Sequence, residues 1–566
     1  MVRRILLSPF LAVLLTLAAN PAAADARNDA VDKLFVNWNS DARPGANVLV
    51  LREGRQLHAA SYGMANLEMA RRNAPELVYP IGSLSKQFTA YGIQLLVRDG
   101  KLALSDDVRR YVPELHDFGT PITIAMLMSH TSGLRDNINL LVLKGHRIDD
   151  VTSMKETLDV ILAQRSLNFP PGSRYLYSNA NFVLLARVIE RVSGVPFADF
   201  MQQRIFSPLG LGHTRVVADP VAHTPGTASG YEGAANRPQP RVDSTYGSNG
   251  LLSTVGDLGL WSTHFYQGGS PVFAAMQVPG MLSDGLPITY NSGLHLEKFR
   301  GLPYVEHTGA VVGFRSGLLV FPQQRLSIIV LSNTGQIDAG QMAFAIAAIY
   351  LADEARTPAT PVAASRQPGA QIVRRYLGTY ETVSGTSQIA PGREYRFVAD
   401  GEGMRLAEGN NRLVAASERE FFSPATGFRV SFAPAARAGA PWVATIHDRS
   451  GTDFAARLVT LAATRPEPEL SLTDLAGIYY SEELNTAYRI GLRGENLLLE
   501  MPRGEVPLQR QAGNRFSAGG NFDVGTLAGT IAFTQREGAA DGFLLTMRGG
   551  RAANIRFVRL SAAEMR

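Results

Sequence analysis

The 566-residue chain contains no cysteine. This absence excludes disulfide bonds, lipid attachment through a cysteine, cysteine nucleophiles and thiolate metal sites. Stability must therefore come from the burial of apolar surface, which a chain of this length can supply over two or three domains. Hydrophobic residues make up 45% of the chain and charged residues 19%, which is ordinary for a globular protein.

Lysine is scarce, because the chain has only six and none follows Lys298. The formal net charge is +5, with 55 cationic side chains opposing 50 acidic ones along the whole length. No dense run of lysine or arginine occurs, which argues against a nucleic-acid partner. Beyond Lys298, the only side chain with a permanent positive charge is arginine.

Three common catalytic signatures are also missing. The chain has no G-x-S-x-G elbow, no H-E-x-x-H pair and no phosphate-binding P-loop. These absences argue against an α/β-hydrolase, a metalloenzyme and a nucleotide-binding enzyme. We therefore expect neither a metal nor an organic cofactor.

The N-terminus has the order of a secretory signal. Arg3 and Arg4 precede an apolar run from Ile5 to Ala19, and small residues lead to Ala24. A signal peptide over residues 1–24 is predicted, with a secreted or periplasmic product. The alternative is a membrane anchor, but the run is shorter than the roughly 20 residues of a spanning helix. No stable membrane span is expected after cleavage.

The pattern of apolar residues divides the rest of the chain. Two hairpin patterns, at 48–62 and 317–331, enclose a mainly helical stretch, which predicts one α+β domain over 25–355 whose sheet joins distant segments. A segment rich in alanine and proline then indicates a linker. Beyond it, short alternating segments predict two antiparallel β-barrel domains. The expected limits are 356–369 for the linker, 370–463 for the first barrel, 464–470 for a second linker and 471–566 for the second barrel.

The strongest chemical signal is Ser83-Leu84-Ser85-Lys86. Residues three apart on a helix share a face, so a helix beginning here points Ser83 Oγ and Lys86 Nζ into one space. A serine hydroxyl needs a neighbour that accepts its proton, and a desolvated amine can do so. Lys86 is the one lysine of the six with a serine three residues before it.

Two further elements supply complementary groups. Tyr177-Ser178-Asn179 offers a phenol that can relay a proton and an amide that can orient a carbonyl. His307-Thr308-Gly309-Ala310 has the pattern of a strand along which a ligand backbone can approach closely. The backbone N–H groups of Ala310 and Ser83 could together form an oxyanion hole.

In this order, the three elements resemble the serine β-lactamase and penicillin-binding-protein superfamily. The stretch from Leu127 to Leu134 and Gly250-Leu251-Leu252-Ser253-Thr254 also match, and the resemblance covers roughly residues 30–350. The closest branch is the class C β-lactamase-like group, peptidase family S12, and within it the D-aminopeptidase type with two C-terminal barrels. The resemblance implies that Ser83 is the nucleophile and that Lys86 and Tyr177 form the acid–base pair. It also implies that Asn179, His307, Thr308, Gly309 and Ala310 contact substrate.

The departure at His307 shapes the predicted function. β-Lactamases and D-Ala-D-Ala carboxypeptidases usually carry a lysine there, which attracts a substrate carboxylate. A histidine is mostly neutral at pH 7, so esters or D-amino-acid peptides and amides are favoured. The alternatives are a D-Ala-D-Ala carboxypeptidase or β-lactamase, and a penicillin- or peptidoglycan-binding protein with little turnover. The candidate partners are a small molecule or short peptide, and peptidoglycan. The resemblance also implies a loop from the last barrel near the site, with Ala518-Gly519-Gly520-Asn521 as a candidate.

Overall fold

The computed structural model describes residues 21–566 apart from short segments. Those outside the description are 148–149, 218–224, 241–243, 357–360, 365–366, 384–391, 436–441, 448–451, 460–467, 503, 523–524, 562 and 565–566. Residues 1–20 also lie outside it, so most of the predicted signal peptide is not described. In the part of the chain that is described, no helix combines the length and apolarity needed to cross a bilayer.

The first region of the chain alternates strands with helices. Its helices are α1 Pro21–Leu34, α2 Ser85–Arg98, α3 Ile124–Met128, α4 Asn137–Leu143, α5 Met154–Leu162, α6 Asn179–Ser193, α7 Phe197–Met201, α8 Val255–Gln267, α9 Pro271–Met276 and α10 Ala339–Tyr350. Its strands are β1 Ala46–Arg52, β2 Arg55–Tyr62, β3 Met64–Asn66, β4 Arg71–Arg72, β5 Tyr79–Pro80, β6 Arg215–Val216, β7 Gly230–Glu232, β8 Arg237–Gln239, β9 Leu251–Ser253, β10 Gly280–Met281, β11 Pro287–Ile288, β12 Tyr290–Asn291, β13 Leu294–Phe299, β14 Leu302–Val311, β15 Phe314–Phe321 and β16 Leu326–Ser332.

One antiparallel sheet organises this region, in the order β12-β13-β14-β15-β16-β1-β2. The pairing of β1 with β16 joins the two predicted hairpins, since Val48 lies opposite Val330. Side chains alternate between the two faces of a strand. Val48 and Val50 accordingly pack in the core with α1 and α10, whereas Leu49 and Leu51 pack with α2, α6 and α8. Both faces of the sheet are covered by helices, as the predicted α+β class requires.

Two closed eight-stranded antiparallel barrels follow. The first has helix α11 Ala370–Val373 and strands β17 Gly378–Thr382, β18 Glu394–Asp400, β19 Gly403–Leu406, β20 Asn411–Ala415, β21 Glu420–Phe422, β22 Arg429–Ala433, β23 Val443–His447 and β24 Asp453–Val459. The second has helix α12 Leu472–Leu475 and strands β25 Gly477–Ser481, β26 Thr486–Arg493, β27 Asn496–Met501, β28 Gly504–Ala512, β29 Arg515–Phe522, β30 Gly525–Arg536, β31 Ala539–Met547 and β32 Ile555–Arg559.

The two barrels close in the same way. Strand β17 pairs with β24, and β25 pairs with β32, so neither barrel keeps an open edge. Each first strand begins with a Gly-x-Tyr sequence, and its tyrosine, Tyr380 in β17 and Tyr479 in β25, is fully buried. The predicted fold class, an α+β domain followed by two β-barrels, is confirmed. The exact domain limits stay a prediction.

Candidate active site

Ser83 lies in a 3-10 turn, Gly82–Leu84, that leads directly into α2. Gly82 has a φ of +53°, and a Cβ on it would lie 2.8 Å from the backbone nitrogen of Ala310. Only glycine fits a positive φ under so close a backbone approach. The strand β14 therefore lies directly against the segment that carries Ser83, as expected for the two backbone groups of an oxyanion hole.

Lys86 occupies the first turn of α2, and its side chain is fully buried. Its Nζ lies 3.0 Å from Ser83 Oγ, 2.8 Å from Asn179 Oδ1 and 2.7 Å from the carbonyl oxygen of Ser248. Two of these partners can only accept hydrogen bonds from the amine. In the neutral form, an amine that donates to both carbonyl oxygens keeps its lone pair for the serine hydroxyl.

Tyr177 comes from a different part of the chain and meets the same hydroxyl. Its phenol donates to Ser83 Oγ at 2.9 Å. Burial raises the pKa of Tyr177 well above its usual value, and the bond to Ser83 and the charge of Arg551 oppose this only in part. A phenol with a raised pKa keeps its proton at neutral pH. Of the two neighbours of Ser83, Tyr177 is therefore protonated and can act as a proton donor, while the amine of Lys86 in its neutral form can act as the acceptor.

Asn179 is held at both ends of its side-chain amide. Its Oδ1 accepts from Lys86, while its Nδ2 and backbone N–H donate to Asp136 Oδ2 at 2.8 and 2.7 Å. The buried Asp136 thus lies at the start of α6, where a helix stabilises negative charge. This arrangement makes Asn179 a support for Lys86, and its predicted contact with substrate stays a prediction.

His307 lies beside the site but is buried, with 4% of its surface exposed. Its Nε2 accepts from the hydroxyl of Tyr290 at 3.0 Å, and its Nδ1 donates to the Thr308 carbonyl oxygen. Burial, with the charges of His295 and Lys86, lowers the pKa of His307 well below its usual value. His307 is consequently neutral at pH 7 and presents no cation to a substrate.

The other predicted residues of β14 differ in exposure. Gly309 is buried, and a Cβ on it would lie 2.0 Å from the Ile81 carbonyl oxygen, so no side chain fits there. Thr308 and Ala310 are exposed. Thr308 Cγ2 lies 2.7 Å from the place of a Cβ on Gly340, at the start of α10. The structure brings Gly309 and Ala310 to the segment before Ser83, while the roles of these residues in binding stay predictions.

The sequence motifs assign no role to His130, which lies within the stretch from Leu127 to Leu134. His130 is fully buried, has a φ of +56° and packs its ring 4.4 Å from that of Tyr177. Its Nδ1 lies 2.9 Å from Asn181 Nδ2 and accepts from it if Nε2 carries the proton. Burial and the charge of Lys86 lower the pKa of His130 well below its usual value. This neutral ring fixes the position of the Tyr177 phenol.

Arg551 was also missed, because it lies in the second barrel, far along the chain from the motifs. Its guanidinium carbon stands 4.9 Å from the centre of the Tyr177 ring. The segment that sequence reasoning considered, from Ala518 to Asn521, instead lies within strand β29. The turn that reaches the site is the one between β31 and β32. A run of glycines at 549 and 550 was the available signal.

A cleft of about 550 Å³ opens beside Ser83. Gly82, Ala310 and Ser248 are among its lining residues, which places it next to the segment that carries Ser83 and to a partner of Lys86. Most of the lining surface is apolar, with Ile138, Leu141, Val142, Val311 and Phe314 among the residues that form it, and charged side chains such as Glu232 and Arg315 also line the cleft. A cleft of this size and character suits a small molecule or a short peptide.

The chain is similar to proteins of known family. The Beta-lactamase family model matches residues 26–351. A D-aminopeptidase of Gluconobacter oxydans (strain 621H) is 30% identical over 452 residues, covering 78% of this chain and 81% of the relative. A D-aminopeptidase of Cereibacter sphaeroides (strain KD131 / KCTC 12085) is 26% identical over 505 residues, covering 86% and 88%.

One solved structure shares the whole architecture. The octameric penicillin-binding protein homologue from Pyrococcus abyssi superposes with a TM-score of 0.52 at 18% identity, covering 94% of this chain and 99% of that one. At this identity, the likeness concerns the fold. Together with the family match and the relatives, it leads to one assignment. The chain belongs to the beta-lactamase family, and the protein is a serine hydrolase.

Proposed function

We propose that this serine hydrolase is exported and cleaves peptides or amides of D-amino acids, or esters, through an acyl-enzyme on Ser83. One observation carries the choice of nucleophile: Lys86 Nζ and Tyr177 OH stand 3.0 and 2.9 Å from Ser83 Oγ. Lys86 is also the one lysine among the buried residues of the described chain. The names of the relatives support the D-amino-acid substrates.

The geometry supports a role for each group in bond breaking. Ser83 Oγ attacks the carbonyl carbon while its proton passes to Lys86. The new C–O bond pushes an electron pair onto the carbonyl oxygen, which the backbone N–H groups of Ser83 and Ala310 can stabilise. As the tetrahedral intermediate collapses, Tyr177 protonates the leaving nitrogen or oxygen. The proton held by Lys86 restores the phenol, and water then releases the acyl group from Ser83.

The substrate preference rests on the charge near β14. His307 is neutral and buried, so this position offers no cation for the carboxylate of a penicillin. A carboxylate placed there would lose its hydration without gaining an ion pair. This supports D-aminopeptidase, amidase or esterase activity over β-lactamase activity.

A substrate panel tests the proposed chemistry. We expect the enzyme to turn over D-alanine p-nitroanilide or p-nitrophenyl esters faster than nitrocefin, and mass spectrometry should detect an acyl adduct on Ser83. Ser83→Ala should lower kcat/KM by about 10⁴-fold or more and abolish the adduct. Ser85→Ala, two residues further on, is the matched control and should keep the adduct. Normal turnover by Ser83→Ala would refute the assignment.

The same substrate panel distinguishes the proposed function from a preference for L-amino acids and from a binding role with little turnover. Faster cleavage of L-alanine p-nitroanilide than of the D-isomer would contradict the proposed stereochemistry. A stable Ser83 adduct without product release would instead support a binding role.

Export has its own test. The predicted signal peptide ends at Ala24, so a mature protein recovered outside the cytoplasm should begin at Asp25. N-terminal sequencing of the protein from each cell fraction measures this. Full-length protein in the cytoplasm alone would contradict export.

A further inference from the structure

The turn between β31 and β32 is fastened to the catalytic domain through its backbone. The carbonyl oxygen of Arg551 accepts from the backbone N–H of Asp136 at 2.9 Å and from Asn168 Nδ2 at 3.1 Å. The N–H of Ala553 donates to Asn168 Oδ1 at 2.8 Å. Because Asp136 also holds Asn179, the turn and the support of Lys86 share one anchor.

A buried arginine of the catalytic domain, Arg135, binds the same turn. Arg135 is 0% exposed, and its Nε donates to the carbonyl oxygen of Ala553 at 3.0 Å. Its Nη1 pairs with Glu483 of the second barrel at 3.0 Å, and its Nη2 donates to Ser166 Oγ at 2.9 Å. A charge buried in this way holds the connected segments in one arrangement. The backbone is thereby fixed at Arg551 and just after it.

The side chain of Arg551 then extends over the ring of Tyr177. Its guanidinium carbon lies 4.9 Å from the ring centre, within the range of a cation–π contact. The residue is exposed, and the guanidinium makes no ion pair or hydrogen bond with a residue that the structure describes. A guanidinium stacked on a ring keeps its N–H groups in its own plane, where they can bind a carboxylate by two parallel bonds.

Because the Arg551 guanidinium lies over the ring of Tyr177, it can contact the part of a substrate that leaves with a proton from Tyr177. The leaving nitrogen must come within hydrogen-bond distance of the phenol that protonates it. The described lining of the cleft at Gly82 and Ser248 includes neither Tyr177 nor Arg551, so this cleft can accept the acyl part. In a leaving amino acid, the carboxyl carbon is two bonds from the nitrogen, about 2.5 Å away. Each further residue moves the carboxylate roughly 3.5 Å away.

We propose that Arg551 is a specificity-determining residue that binds the carboxylate of the leaving residue, so that the enzyme prefers peptides with one amino acid after the scissile bond. This inference rests on the proposed function and names its substrate class. Arg551 would also supply the cation that is missing at His307. Beyond Lys298, arginine is the only residue type with a permanent positive charge.

Two matched substrates test the proposal. For the full-length enzyme, we expect kcat/KM for D-alanyl-glycine to exceed that for D-alanyl-glycinamide by about 10- to 100-fold, the usual worth of a charged hydrogen-bonded pair. Arg551→Gln should abolish this preference by lowering only the value for the free acid. Arg551→Lys should keep part of it. Arg548→Gln removes an exposed arginine from the same turn and should change neither value.

A second pair keeps the test independent of peptide cleavage. 3-Carboxyphenyl acetate and 3-carbamoylphenyl acetate differ only in the charge of the leaving group. If neither dipeptide is cleaved, the proposed D-peptide activity fails, while these esters still measure the contact with Arg551. Equal kcat/KM for acid and amide in the wild type, or an equal loss on both in Arg551→Gln, would overturn the inference. Thermal unfolding of each variant reports any effect on the fold.

Discussion

The two C-terminal barrels have the same strand order but meet the catalytic domain through different groups. The first barrel supports the backbone before Tyr177: the carbonyl oxygen of Val383 accepts from the N–H of Tyr175 at 2.9 Å. Arg457 of the same barrel donates to the Ser173 carbonyl oxygen at 3.1 Å. The second barrel instead places a charged side chain, Arg551, on the ring of Tyr177.

This difference shows that two copies of one fold can have separate tasks at one site. The first barrel restrains the loop that carries the proposed acid, whereas the second adds a group that can recognise a substrate. Neither barrel contributes the hydroxyl, the amine or the phenol. Function in such a molecule lies in the few residues that each domain presents, and the shared fold does not predict it.

The largest expected effect on kcat/KM comes from Lys86, a residue of the catalytic domain that neither barrel contacts in the proposed mechanism. Lys86→Ala removes the proposed base and should lower kcat/KM by about 10⁴-fold on every substrate, because the Ser83 hydroxyl then has no amine to accept its proton. Steady-state kinetics with the intact barrels measures this. Lys101→Ala, at an exposed lysine after the same helix, is the control and should be unchanged. Activity retained by Lys86→Ala would give the base role to another residue.

A smaller effect is expected at the residue on which both barrels converge. Tyr177→Phe should lower kcat/KM for D-alanine p-nitroanilide by about 10²- to 10³-fold, because the leaving amine then lacks its acid. A p-nitrophenyl ester needs less help in leaving, so its loss should be smaller. Comparing the two substrates checks the assignment. Equal losses on both would mean that Tyr177 does not protonate the leaving group.

The anchors of the two barrels should differ in stability. Arg135→Met leaves Glu483 buried without its partner and should reduce the free energy of unfolding by about 4 kcal/mol. Arg457→Met breaks a partly exposed pair with Asp284 in the first barrel and should cost about 1 kcal/mol or less. Denaturant unfolding of both variants measures the difference. Equal losses would contradict the contrast between the two anchors.

A further effect is expected in the central sheet, outside both barrels. Burial raises the pKa of Glu306 from 4.5 to about 7, with the charge of His295 opposing the shift. The folded state therefore holds this proton longer than the unfolded chain, so stability falls as pH rises from about 4.5 to 7. Glu306→Gln cannot lose a proton and should be more stable than the wild type at pH 8 by about 3 kcal/mol, with the gain vanishing near pH 4.

Thermal unfolding of Glu306→Gln and wild type across this pH range checks the prediction. Glu402→Gln, which changes an exposed carboxylate of the first barrel, is the control and should show no such trend. A gain at pH 8 that persists unchanged at pH 4 would rule out the buried carboxyl as its cause.

The patterns found in the sequence are local ones. The spacing of Ser83 and Lys86 follows from helix geometry, and the structure has them 3.0 Å apart at the start of α2. Two hairpin patterns predicted four strands of the sheet, and short alternating segments predicted the barrels, each of which the structure contains. These features depend on residues a few positions apart, so the chain itself contains the information.

What only the tertiary structure decided is which distant groups meet. Tyr177 lies 94 positions from Ser83, Asn179 connects Asp136 to Lys86, and Arg551 comes from another domain. No periodicity in the chain relates these positions. Their meeting depends on how the core packs and how the second barrel docks, and the pKa of each buried group follows from that burial. The sequence by itself thus determined the helices and strands and the pairing of Ser83 with Lys86. Tertiary packing determined which distant residues, such as Tyr177, surround this pair and how deeply the pair is buried.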